Sequence, residues 1–73
     1  MNRDFSFQKG WSQVKQGEVS VVRTQLMTAL SITTRMAFLN RLNGDVEPKV
    51  TEYEAIERIF KEHGIAEIWG EMK

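Results

Sequence analysis

Apolar residues recur along the chain with a helical period, and four stretches carry the pattern. Phe7, Trp11 and Val14 stand at i, i+4 and i+7, predicting a first helix near 6–15, with Asp4 or Ser6 as its cap and Gly17 as its stop. Gly10 lies inside that stretch and weakens it. Val22, Leu26, Ala29 and Leu30 form the buried stripe of a second helix over 20–30. The run Val19, Val21, Val22 would also suit a strand, but no partner strand is visible, so the helical reading prevails. A third helix over 34–43 carries Met36, Phe38, Leu39 and Leu42. Thr33 or Thr34 is available to cap it, and Asn43-Gly44 ends it, since glycine takes the left-handed closing conformation at little cost. Residues 45–50 connect, with Glu47 held extended by Pro48.

The fourth helix, 52–63, has the clearest boundaries. Thr51 and Glu54 read as a capping box, Tyr53, Ile56, Ile59 and Phe60 face the core, and Glu54/Arg58 and Glu57/Lys61 form i, i+4 pairs. His63-Gly64 stops it, with Ile65 folding back as the hydrophobic contact of a Schellman-type end. Ile68 and Trp69 lie in a short apolar tail over 65–70. The expectation is an all-α fold: one domain over 1–73, a compact bundle of four to five short helices containing a helix-turn-helix.

At 73 residues the core is small and the stability margin thin, so dimerisation or a partner would help. Cysteine is absent, which excludes disulfides and thiolate metal sites and agrees with a reducing, cytoplasmic setting. The N-terminal MNRDFSFQKGW has no apolar run of signal-peptide length, and no membrane span is expected. Net charge is zero but unevenly spread: six bases stand against two acids before Asp45, and four against eight from Asp45 onward. A chain so polarised can turn a basic face to phosphate and an acidic one away.

The stretch from Arg23 to Gly44 carries the candidate chemistry. Two short helices joined by a tight turn, the second polar and basic at its start, have the layout of a DNA-reading unit in which one helix braces another in the major groove. Leu26, Leu30 and Ile32 meet the packing demands on the first helix and the turn. Arg23, near the amino end of the bracing helix, is placed for a phosphate. Thr33, Thr34 and Arg35 head the reading helix: arginine pairs bidentately with guanine, and threonine donates to a base or touches a thymine methyl. Further along, Asn40 suits adenine and Arg41 suits phosphate.

Residues 22–65, about three fifths of the chain, resemble the lambda-repressor-like (XRE-type) helix-turn-helix domains, especially small regulators of bacteria and their mobile elements. The matching pieces are Leu26-Met27-Thr28-Ala29-Leu30-Ser31-Ile32, the run Phe38-Leu39-Asn40-Arg41-Leu42-Asn43-Gly44, Pro48, the segment Ala55-Ile56-Glu57-Arg58-Ile59-Phe60, and Gly64-Ile65. The resemblance implies an all-α bundle and sequence-specific duplex binding, often as a dimer. By position it makes Thr33, Thr34, Arg35 and Phe38 base-side residues and Arg23 a phosphate contact. The chain departs from the pattern at Met27, where a small alanine is usual, and at Ser31, where glycine commonly takes the turn. The stretch from Ile32 to Gly44 is also about one residue longer than usual.

Plainer roles account for the remaining conspicuous residues. The four methionines read as fillers of core gaps, and Trp11 and Trp69 as core or edge packing. His63, the single histidine, suits the last carbonyls of its helix better than general-base work. Glu52, Glu54 and Glu57 converge on no histidine, and no phosphate loop or nucleophile motif is present, so neither an enzyme, a metal site nor a cofactor is expected. Two function classes remain: a double-stranded DNA-binding regulator using Arg23, Thr33, Thr34, Arg35, Phe38, Asn40 and Arg41, with a homodimer or protein partner compatible, or a protein-interaction module on the same scaffold. The second would show an apolar patch around Phe38 or Trp69. A single-strand or RNA platform would need interleaved aromatic and basic residues that the chain lacks.

Overall fold

A computed structural model describes residues 5–71. Its helices are α1 (Gln8–Trp11), α2 (Val19–Ala29), α3 (Arg35–Asn43) and α4 (Val50–Glu62), with a 3-10 turn over Gln16–Glu18 leading into α2. Among the described residues there is no strand, and the fold is a small all-α bundle. Among the described residues no helix is long and apolar enough to cross a membrane.

The amphipathic stripes of α2 and α4 form the centre of the molecule. Val22, Leu26 and Leu30 meet Ile56, Ile59 and Phe60, closed by Phe7, Phe38, Leu42, Ile65 and Ile68. Helices this short are marginal alone, so it is burial of these faces in each other that holds them.

Three of the helices end in the same hydrogen-bond pattern. At the end of α2 the Ser31 amide donates to Thr28 and the Ile32 amide to Met27; α3 ends with Gly44 to Arg41 and Asp45 to Asn40; α4 ends with Gly64 to Lys61 and Ile65 to Phe60. Each is a Schellman stop, which needs a left-handed residue after the last turn. Two of those residues are glycine. The third is Ser31, at φ 56°, the single non-glycine residue with positive φ among those described. That conformation costs a side-chain-bearing residue on the order of 1 kcal/mol, and the bundle holds it there.

Two boundaries differ from the sequence expectation. The first helix covers only Gln8–Trp11, because the chain turns through residues 12–14 and is extended at Lys15. Gly10 explains why this segment tolerates a poor helix former: a Cβ there would lie 3.0 Å from the Ile68 Cα, so only glycine lets the tail approach. Asp4, one of its two suggested caps, lies outside the described residues. Ser6, the other, is fully buried; its hydroxyl accepts from the Gln8 amide at 3.3 Å. The cap of α4 lies two residues earlier than Thr51/Glu54. Glu52 reaches back to accept the Lys49 amide at 2.9 Å, and Thr51 sits inside the first turn. Lys49, extended after Pro48, starts the helix there, and Arg41 holds Glu52 in position.

Both ends of the described chain close on one point. The Ser6 hydroxyl donates to the Leu42 carbonyl at 2.9 Å, with the Gly70 carbonyl a longer second acceptor at 3.3 Å. Main-chain bonds run from Phe7 to Leu42, Lys9 to Gly70, Gly10 to Ile68 and Gly70 to Ser6. Gly44 is pressed into this clasp: a Cβ on it would stand 2.6 Å from the Ser6 nitrogen, and its φ is +81°. Gly44→Ala is therefore expected to lower stability by more than about 1 kcal/mol, a drop in Tm of at least about 4–8 °C in thermal melts. Gly17→Ala, where a Cβ meets nothing within 4 Å, should change stability by less than about 0.5 kcal/mol.

Candidate nucleic-acid interface

The turn from α2 to α3 sets how α3 projects. Ser31 reverses the chain, Ile32 is half-buried beneath it, and Thr34 caps α3 by accepting the Ala37 amide at 3.1 Å. Thr33 and Arg35 are left exposed at the start of the helix. From there helical geometry assigns the faces: Phe38 and Leu42 point into the core, and Met36 and Asn40 point away from it.

Arg23 and Arg35 come together. Both are exposed, and with Met27 and Phe38 they line a cleft of about 400 Å³ between the middle and carboxyl-terminal part of α2 and the start of α3. A smaller recess beside it brings Trp11, Leu39 and Leu42 against the same two arginines. Met27 fills the angle between the helices where a small residue would let them close. Neither guanidinium has an ion-pair partner among the described residues. Two like charges facing one cleft, at a surface with no adjacent carboxylate in its lining, make it attractive to an anion.

Three of the expected site residues are placed otherwise. Phe38 is not on the groove side: it is 4% exposed, edge-on to Phe7 and Trp11 with ring centroids 6.1 and 5.2 Å away. Arg41 lies on the flank of α3 opposite Arg35, where both of its terminal nitrogens meet the Glu52 carboxylate at 3.0 and 3.4 Å, and both side chains are 16% exposed. Its charge is thereby neutralised within the molecule. Thr34 spends its acceptor on the helix cap. Asn40 is half-buried on the outer face. Met36, read from the sequence as a core filler, is 66% exposed. Of the two, Phe38 is the core residue and Met36 the exposed one. The missing signal was the aromatic pocket formed by Phe7 and Trp11, which only the folded chain brings to α3.

Other polar groups serve the scaffold. His63 joins the end of α4 to α2 through Gln25, at 2.9 Å from Nε2, and to the 3-10 turn through Glu18, at 3.3 Å from Nδ1. Glu57 accepts the Trp69 indole N–H at 3.1 Å, and among the described residues it pairs with no lysine. Trp69 stacks flat on Tyr53, centroids 4.5 Å apart. Burial first, and then the Glu57 carboxylate, raise the pKa of the Tyr53 hydroxyl. No group of three or more His, Cys, Asp or Glu among the described residues could hold a metal ion. Comparisons of the chain with protein-family models, curated proteins and solved structures give no match.

The Arg41–Glu52 pair carries a pH dependence. The Lys49 amide, and next the Arg41 guanidinium, hold the Glu52 carboxyl below its ordinary value of 4.5, against the opposing effect of burial. A carboxylate whose folded pKa is depressed contributes stability that is complete above its unfolded value and lost as pH falls through the folded one. Glu52→Gln should therefore melt below the parent protein at about pH 7, with the gap closing toward about pH 2, in melts followed by circular dichroism.

Proposed function

We propose that this chain is a sequence-specific double-stranded DNA-binding protein, a small transcriptional regulator that places α3 in the major groove. The observation that carries the reading is that Arg23 and Arg35 meet at one cleft, both exposed and without an ion-pair partner among the described residues, beside the outward face of α3. An anion-attracting rim next to an uncharged helix face suits a duplex, whose phosphates border the grooves where base edges are exposed. Support comes also from the left-handed Ser31, at the position where the helix-turn-helix resemblance has glycine. Thr33, Met36 and Asn40 then stand toward the bases, with Arg35 at their flank and Arg23 toward the backbone. Arg41, bound to Glu52, orients α3 against α4. The chain acts in this reading by binding and catalyses no reaction.

The protein-interaction alternative calls for an apolar patch at Phe38 or Trp69. Phe38 is in the core, and Trp69 is half-buried against Tyr53 and Phe7. Those two rings are engaged inside the molecule, and the large apolar side chains that are exposed are Val21, Met36, Val46 and Val50; the DNA reading is preferred on the exposed arginines at the cleft.

Titration of a labelled randomised duplex pool, followed by fluorescence anisotropy at two salt concentrations, tests the proposal. Affinity should fall steeply with salt, and Arg23→Ala should reduce the log–log salt slope by about 1. Arg35→Ala should weaken binding about tenfold with helix content unchanged, the scale of one good arginine contact. A folded sample that binds no duplex at low salt would refute it.

A further inference from the structure

We infer that Met36 is a specificity-determining residue that reads the C5-methyl group of thymine; the inference rests on the DNA-binding reading of α3 and names the kind of site it selects. Met36 is the most exposed apolar side chain of α3, at 66%. Asn40 follows it by one turn on the same face, and Thr33 stands exposed just ahead of the helix. That face carries no charge. The arginines of α3 stand on its two flanks, Arg35 toward α2 and Arg41 toward α4, where Glu52 holds it.

The chemistry of the groove determines what such a face can recognise. Guanine is read best by a bidentate arginine or lysine, and the centre of this face has neither. Adenine is read by an amide, which Asn40 supplies. A methionine side chain donates no hydrogen bond and accepts only weakly, so its favourable partner is an apolar group. The one apolar group on the major-groove edges of the four bases is the thymine methyl. Burying the thioether arm against that methyl removes apolar surface of both from water, and its flexibility lets it reach the methyl without a fixed register. A preferred site therefore has thymine under Met36 with an A·T pair beside it under Asn40.

The test uses the tightest-binding duplex selected from a randomised pool. Each thymine is replaced in turn by deoxyuridine, which keeps base pairing and removes only the methyl group. Replacement at one or two positions should weaken binding about three- to fivefold, the worth of one buried methyl-sized group. Met36→Ala, an exposed substitution that leaves helix content unchanged, should bind the thymine and deoxyuridine duplexes equally at the position under Met36, the discrimination there being what the variant tests. Tight duplex binding that is indifferent to deoxyuridine at every position overturns the inference and leaves the DNA reading standing. So does discrimination that survives in Met36→Ala. Absence of binding to any duplex removes both.

Discussion

The rotation of α3 about its own axis is the constraint on which the surface of this molecule depends. Nine residues rising roughly 1.5 Å each offer little more than two turns, so a twist of two positions, about 200°, would exchange the inward and outward side chains. The chain blocks that twist from three directions. The left-handed Ser31 and the Thr34 cap determine where the helix begins. Phe38 is wedged between Phe7 and Trp11. Gly44, lying against Ser6, determines where the helix ends. Arg41 then locks the flank through Glu52, whose carboxylate also caps α4, so one side chain orients two helices.

Most of the architecture was legible from periodicity. The stripes of α2 and α4 were readable because their apolar spacing matches a helix with one buried face, and the glycine stops at Gly44 and Gly64 were readable because so few residues fit a left-handed closing position. The legible part of the candidate interface was what local chemistry dictates: a turn, a capping threonine, and two exposed arginines, Arg35 at the amino end of α3 and Arg23 inside α2. What remained hidden depends on contacts distant in sequence. Met36 and Phe38 differ little in hydrophobicity, and nothing within α3 says which of them meets Phe7 and Trp11. The glycine inside α1 follows from the close approach of Ile68 to Gly10, and the displaced cap of α4 follows from Arg41.

Electrostatics is organised across the fold rather than along its helices. The i, i+4 pairs legible on α4 give way to longer-range partners, with Glu57 on Trp69, Glu52 on Arg41 and Glu67 on Lys9. Exposed pairs within a helix contribute only a few tenths of a kcal/mol, roughly, so they yield readily to partly buried bonds that fix tertiary geometry. A chain with equal numbers of acids and bases can in this way hold its carboxylates at structural posts and still present a cationic rim beside α3.

The clasp at Ser6 makes the two ends of the described chain depend on each other. Its hydroxyl faces a carbonyl 64 positions later, and the amides of Lys9 and Gly10 are satisfied only by residues of the same late segment. Without that segment, the α1 amides of Lys9 and Gly10 lack their acceptors. The amino-terminal turn and the segment over 68–70 therefore complete each other, and neither has its native backbone partners without the other.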